Sequence, residues 1–188
     1  MKIVLASRSP RRKELLGKIF SEFEIITSDA DETLPLGLHP SRGVEVLAVR
    51  KGAAVLPLLD SETLVISSDT LVELDGIALG KPTDAEDAVR MLMGLSGKTH
   101  RVHTGVAVHY RGRVHSGVDT AHVTFRKFDR AEATEYVSTG EPMDKAGAYA
   151  IQGIGRRLVE SYDGEFDAIV GLGLKLTEKL IKQATKNE

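Results

Sequence analysis

Ser7-Arg8-Ser9-Pro10-Arg11-Arg12 follows a short apolar run and sets hydroxyls and guanidiniums where a helix is expected to begin. Free backbone N–H groups and the helix dipole favour an anion at such a point. Arginine adds bidentate recognition of phosphate. Ser7, Arg11 and Arg12 are therefore candidate phosphate ligands. The plain alternative is a capped helix with solvated arginines. No G-x-x-x-x-G-K-[ST] occurs in the chain, so this is not a Walker loop.

Four further segments could share the work. Ser28-Asp29-Ala30-Asp31-Glu32 offers carboxylates to Mg²⁺, which prefers oxygen ligands, although an acidic surface loop is the commoner reading. Ser67-Ser68-Asp69-Thr70 closes an apolar strand, and strand ends in open α/β sheets are favoured ligand positions. Asp69 there could hold a metal, deprotonate a water or simply form a turn. Lys81, in Leu79-Gly80-Lys81-Pro82, and Lys51, on a helix, could pair with phosphate or remain solvated. In the glycine- and alanine-rich run from Asp144 to Gly153, Gln152 carries both a donor and an acceptor, which suits the edge of a nucleobase.

Other chemistries are excluded. Gly153-Ile154-Gly155 and Gly171-Leu172-Gly173 lack the third glycine of a dinucleotide fingerprint, and no G-x-S-x-G elbow is present. The chain has no cysteine, which removes disulfides and thiolate metal sites. His100 and His103, three apart in a predicted strand, point to opposite faces. His39, His109, His115 and His122 show no metal-ligand spacing, so all six histidines read as structural or surface residues.

The elements that must position these groups can be read from periodicity. Strands are expected at Ile3–Ala6, Phe23–Thr27, Thr63–Ser67 and Leu158–Tyr162. Hairpins are expected around Asp75-Gly76, within Leu71–Leu79, and around Arg111-Gly112, between Val102–Tyr110 and Val114–Phe128. Helices are expected after Ser9-Pro10, from a cap at Ser41, from a capping box at Thr83–Glu86, from Asp129, and from Leu174 to Ala184. Hairpins interrupting a strand–helix alternation predict an α/β protein with a mixed sheet and flanking helices.

With 188 residues, 41% of them hydrophobic, the chain can bury a core as one domain. A net charge of -2 argues against a general nucleic-acid binder. No apolar run is long enough for a signal segment or a membrane span, so the expectation is a cytoplasmic protein without a membrane partner.

Leu5–Arg12, Asp29–Glu32, Ser68-Asp69-Thr70, Leu79–Pro82 and Glu141–Gly153, in that order, resemble the motifs of the Maf family, and the likeness spans essentially the whole chain. The resemblance implies a nucleotide pyrophosphatase with an elongated mixed sheet in two lobes, like that of inosine triphosphate pyrophosphatases, and an active site in the cleft between them. It also implies dependence on Mg²⁺ or Mn²⁺ and a homodimer. By the family's pattern Asp69 is the general base, and Ser7, Arg12, Glu32, Lys51 and Lys81 match other site positions. Metal binding would fall to Glu32 and Asp69. Asp69 as base and Asp69 as metal ligand both stay open, because a nearby cation makes a carboxylate a weaker base.

Arg12, Thr70 and Gln152 match the branch acting on dTTP and UTP, with modified pyrimidine nucleotides as further expected substrates. The alternatives are the 7-methyl-GTP branch, a pyrophosphatase for non-standard purine nucleotides, and a non-catalytic nucleotide-binding regulator of cell division. One departure stands out: the family commonly reads Gly-Leu-Pro where this chain has Gly171-Leu172-Gly173, which is expected to loosen a helix start.

Overall fold

The structure, a computed structural model, describes residues 1–27 and 29–186. Ser28, at the head of the acidic run, lies outside the described residues. Among the described residues, seven strands form one mixed sheet in the order β2-β1-β3-β5-β6-β7, with β4 paired to the far end of β3. The strands are β1 (Lys2–Leu5), β2 (Glu24–Ile25), β3 (Thr63–Leu74), β4 (Ile77–Leu79), β5 (Thr99–Tyr110), β6 (Arg113–Phe125) and β7 (Val159–Asp163). Strand β1 runs parallel to β2 and β3; the remaining pairs are antiparallel.

The helices are α1 (Pro10–Leu16), α2 (Pro40–Ala53), α3 (Ala85–Leu95), α4 (Arg130–Ser138), α5 (Phe166–Val170) and α6 (Leu174–Thr185). Helix α2 covers one face of β3 and β5. It approaches so closely that a Cβ on Gly105 would stand 2.3 Å from the Val44 carbonyl oxygen. On the opposite face one continuous core gathers Leu15, Leu92, Tyr136, Leu172 and Leu180, from α1, α3, α4, the α5–α6 turn and α6. A smaller core of Val4, Ala6, Val55 and Val65 lies beyond the C-terminal end of α2.

Strand β3 decides where the site falls. On one edge it pairs with β5 from Val65 to Glu73. On the other edge β1 reaches only Ile66, and β4 begins only at Val72. The last link on the β1 side is the Ala6 N–H donating to the Ile66 carbonyl at 2.8 Å. Ser67 to Leu71 therefore have an open edge in the middle of a sheet.

The expected break between a strand ending at Ser67 and a hairpin starting at Leu71 does not exist; β3 is continuous. The polar stretch does not end it because its side chains are satisfied. Ser67 Oγ donates to the Ala48 carbonyl at 2.7 Å and Ser68 Oγ to the Gly171 carbonyl at 2.8 Å.

Both hairpin turns form as read, with positive φ at Asp75-Gly76 (52° and 82°) and Arg111-Gly112 (48° and 72°), the type I′ pattern. Ser9 caps α1 by accepting from the Arg12 N–H, and Asp129 caps α4 by accepting from the Glu132 N–H. Two caps fall elsewhere. Helix α2 starts at Pro40, whose missing N–H suits a first helical position, and His39 Nδ1 accepts from the Ser41 N–H. Helix α3 is capped by Asp84, accepting from the Asp87 N–H at 2.8 Å, and not by Thr83. The second strand shrinks to Glu24–Ile25.

Candidate active site

A cavity of about 970 Å³ wraps the open edge of β3. Alternate strand residues face opposite sides, and the missing neighbour lets the cavity reach both. Asp69 points toward α2, whereas Ser68 and Thr70 point toward α1 and the α5–α6 turn. Ser7, Arg11, Arg12, Glu32, Lys51, Asp69, Thr70, Lys81 and Gln152 all line this cavity. The structure thus brings these nine residues together from six separate stretches of chain.

On the α2 side, Lys51 bridges two carboxylates. Its ammonium lies 2.9 Å from Glu32 Oε1 and donates to Asp69 Oδ1. Asp69 is 7% exposed, so its charge sits largely out of water and the lysine compensates it. Partial burial pushes the Glu32 carboxyl up, but the Lys51 hydrogen bond and the charges of Lys51, Lys81 and Arg12 bring it below its ordinary value.

On the other side, Arg12 Nε donates to the Gly171 carbonyl at 2.9 Å and Nη2 to Thr70 Oγ1 at 3.3 Å. Burial lowers the Arg12 pKa, with the Asp69 charge opposing. The guanidinium stays charged, since arginine does not deprotonate in proteins. Ser7 lies two residues before the Ser9 cap of α1, and its Oγ accepts from the Ser9 N–H at 3.1 Å. Arg11 points to the rim, 3.9 Å from Asp144.

Six basic side chains (Arg8, Arg11, Arg12, Lys51, Lys81, Lys145) and four carboxylates (Asp29, Glu32, Asp69, Asp144) line the cavity. This local positive excess sits in a chain whose net charge is -2. Apolar groups, among them Leu71, Val72, Tyr149 and Ile169, complete the lining. The lining therefore offers both cationic groups for a polyanion and apolar surface for a planar ring.

The acidic run is divided by the fold. Only Glu32 faces Asp69. Asp29 pairs with Arg8 at the exposed rim, and Asp31 turns back to accept from the Thr33 N–H at 2.8 Å. Among the described residues no three His, Asp or Glu side chains converge as a metal cage. Glu32 and Asp69 already hold one positive charge between them, on Lys51. Their hard oxygens suit Mg²⁺ or Mn²⁺, which commonly bind through one or two carboxylates, with waters and substrate phosphates filling the remaining positions.

The loop carrying Gln152 is built around Glu141. This carboxylate accepts from the Tyr136 hydroxyl (2.6 Å), the Ile154 N–H (3.0 Å) and the Gly155 N–H (2.8 Å). Burial pushes the Glu141 carboxyl up, and these donors bring it below its usual range. Gly153, at φ 86° and ψ -149°, would place a Cβ 2.2 Å from Glu141 Oε1, so only glycine fits. Sequence reasoning missed Glu141 and Tyr136 as organisers. A glutamate just before a glycine-rich run was the available signal, but its acceptor role needs the tertiary contact.

The departure at Gly171-Leu172-Gly173 also has a physical counterpart. Gly171, at φ 134°, presents the carbonyl that both Arg12 and Ser68 use. A Cβ on Gly173 would fall 1.8 Å from Asp119 Oδ2, so the carboxylate occupies the space a larger residue would need. No histidine lines the cavity among the described residues. His100 donates to or accepts from the Tyr149 hydroxyl, and His103 contacts buried Glu73.

A sequence profile of the Maf family, described as Maf-like protein, matches residues 2–184. A Bacillus velezensis protein named dTTP/UTP pyrophosphatase is 43% identical over 182 residues, covering 97% of this chain and 96% of its own. Relatives of the same name from Moorella thermoacetica (47% identical, 96% and 93% covered) and Vibrio cholerae (44%, 96% of both) are comparable. Among solved structures, the Staphylococcus aureus Ham1 protein aligns over 98% of this chain and 91% of its own, at 16% identity and a TM-score of 0.49.

Proposed function

The chain belongs to the Maf family, and from that premise we propose that it is a nucleoside triphosphate pyrophosphatase acting on dTTP and UTP, and on modified pyrimidine nucleotides. The observation that carries this reading is the opposed pair of contacts across the open edge of β3. Glu32–Lys51–Asp69 lies on one face and Arg12–Thr70 on the other. Relatives covering the chain almost end to end and named dTTP/UTP pyrophosphatase support it.

In the proposed reaction a water attacks the α-phosphorus. The bond from that phosphorus to the α–β bridging oxygen breaks, and the oxygen leaves with pyrophosphate. Asp69 accepts the proton from the attacking water, and Lys51 holds the carboxylate in place. Arg11, Lys81 and the Ser7 end of α1 bind phosphate oxygens and offset the charge that builds on them. Arg12, Thr70 and Gln152 read the edge of the nucleobase. Glu32 and Asp69 would hold a divalent cation, Mg²⁺ or Mn²⁺, which supplies charge neutralisation and a more acidic water. The chain works as one domain over residues 1–188, with the cleft between the two ends of its sheet. We place it in the cytoplasm as a homodimer with no nucleic-acid partner. Among the described residues no helix is long and apolar enough to cross a membrane.

The test is pyrophosphate release from dTTP, UTP, CTP, ATP, GTP and 7-methyl-GTP, with Mg²⁺ or Mn²⁺. Preferential release from dTTP and UTP is expected. Dominant turnover of 7-methyl-GTP would move the protein to the other branch. Nucleotide binding without release would leave a regulator.

A further inference from the structure

Thr70 faces the cavity, and its strand partner is Thr104, directly opposite in the β3–β5 register. The two hydroxyl oxygens lie 2.9 Å apart, and Thr104 Oγ1 also lies 2.7 Å from the Ala168 carbonyl oxygen. Thr104 is fully buried. A hydroxyl carries one proton, and a carbonyl can only accept. Two oxygens 2.7 Å apart with no proton between them would repel, so the Thr104 proton belongs to the Ala168 carbonyl. The Thr70 proton must then point at Thr104. Arg12, which can only donate, completes the chain by donating to Thr70 Oγ1 at 3.3 Å. The order is Arg12 to Thr70 to Thr104 to the Ala168 carbonyl, with one lone pair of Thr70 left for the cavity.

Building on the function proposed above, we infer that Thr104 is a positioning residue that locks the Thr70 hydroxyl as a hydrogen-bond acceptor, so that the site selects bases presenting an N–H at that point. Thr70 in this state repels a phosphate oxygen, which places it on the base side of the cavity and not the phosphate side. The imide N3–H of uracil and thymine satisfies it, flanked by carbonyls that Arg12 and Gln152 can serve as donors. Cytosine offers a bare N3 there, lone pair against lone pair. A buried acceptor left facing an acceptor is the kind of mismatch that discriminates strongly between similar ligands. The part of the selectivity against cytosine that is read at N3 thus originates one residue behind the cavity wall, in a side chain that touches no substrate; the C4 amino group, a donor where uracil has a carbonyl, adds a separate mismatch.

The experiment measures kcat/KM for UTP and CTP with wild type, Thr104→Val and Thr104→Ser, alongside thermal unfolding of each. Valine keeps the shape of threonine but cannot accept the Thr70 proton, so the Thr70 hydroxyl can turn and donate to cytosine N3. The UTP-to-CTP ratio is expected to fall tenfold or more in Thr104→Val and to return toward wild type in Thr104→Ser. Equal losses for both substrates, with the ratio kept, would overturn the inference and leave the pyrophosphatase reading intact. A second readout uses wild type alone, so it survives a variant that does not fold. As pH falls toward the pKa of cytosine N3, protonation creates the missing N–H, and turnover of CTP relative to UTP should rise. A ratio that falls or stays level means that Thr70 donates, and sinks the inference. Wild type that hydrolyses neither nucleotide overturns instead the function on which this rests.

Discussion

Asp69 shows what one residue's position contributes. Its carboxylate is held by Lys51, buried to 7% exposure, and aimed into a cavity of mixed charge. Replacement by asparagine keeps the shape and removes the proposed proton acceptor. Asp69→Asn is expected to lower kcat at least 10²-fold, the scale of a lost general base, while nucleotide binding persists. Steady-state kinetics beside a nucleotide-binding titration checks this. An unchanged kcat would return Asp69 to a purely structural part. Lys51, which from the sequence could pair with phosphate or remain solvated, braces two carboxylates in this structure.

At the scale of elements, α2 and the 141–155 loop deliver these groups. Helix α2 carries Lys51 and rests on β5 through Gly105, which leaves no room for a methyl group. Gly105→Ala should push the helix outward, cost about 1–3 kcal/mol as an overpacked contact, and lower kcat by displacing Lys51. Denaturant unfolding and turnover together test it; a variant as stable and active as wild type would refute the close packing. The loop depends on Glu141. Glu141→Ala orphans two backbone N–H groups and the Tyr136 hydroxyl. We expect a loss of about 1–3 kcal/mol and a rise in KM larger than the fall in kcat, because the role proposed for Gln152 is to bind the base and not to perform the chemistry. A change confined to kcat would contradict that division.

At the scale of the whole molecule, acid sensitivity should trace to the core as well as to surface carboxylates. His100 sits edge-on to Phe125 and Tyr149, and burial pulls its pKa down to about 4 from an ordinary 6.5. The unfolded chain binds the proton first, so between about pH 6.5 and 4 acidification favours unfolding. The stability present above pH 6.5 is lost through that window, on the order of 3 kcal/mol. His100→Phe should flatten the profile of Tm against pH there, and an unaltered slope would remove His100 as its source. Metal should matter differently. With no closed cage among the described residues, a chelator is expected to abolish pyrophosphate release while leaving the Tm of the nucleotide-free protein almost unchanged. A large drop in Tm would indicate a structural metal.

Much of this was legible locally. The motif residues are set by type and spacing, the two type I′ turns by Asp75-Gly76 and Arg111-Gly112, and two helix starts by Ser9-Pro10 and Asp129. Such features depend on neighbours a few positions away, so the chain alone determines them, along with the mixed character of the sheet. What only the tertiary structure decided depends on partners far along the chain. The continuity of β3 past Ser67 comes from β5, about forty residues on, and the open edge comes from where β1 stops and β4 starts. The sorting of Asp29, Asp31 and Glu32 into rim, turn and site follows from Arg8, Thr33 and Lys51. The proton order through Thr70 and Thr104 needs a carbonyl at Ala168. A hydrogen bond has a direction and a length, and neither exists until the fold brings its two ends together.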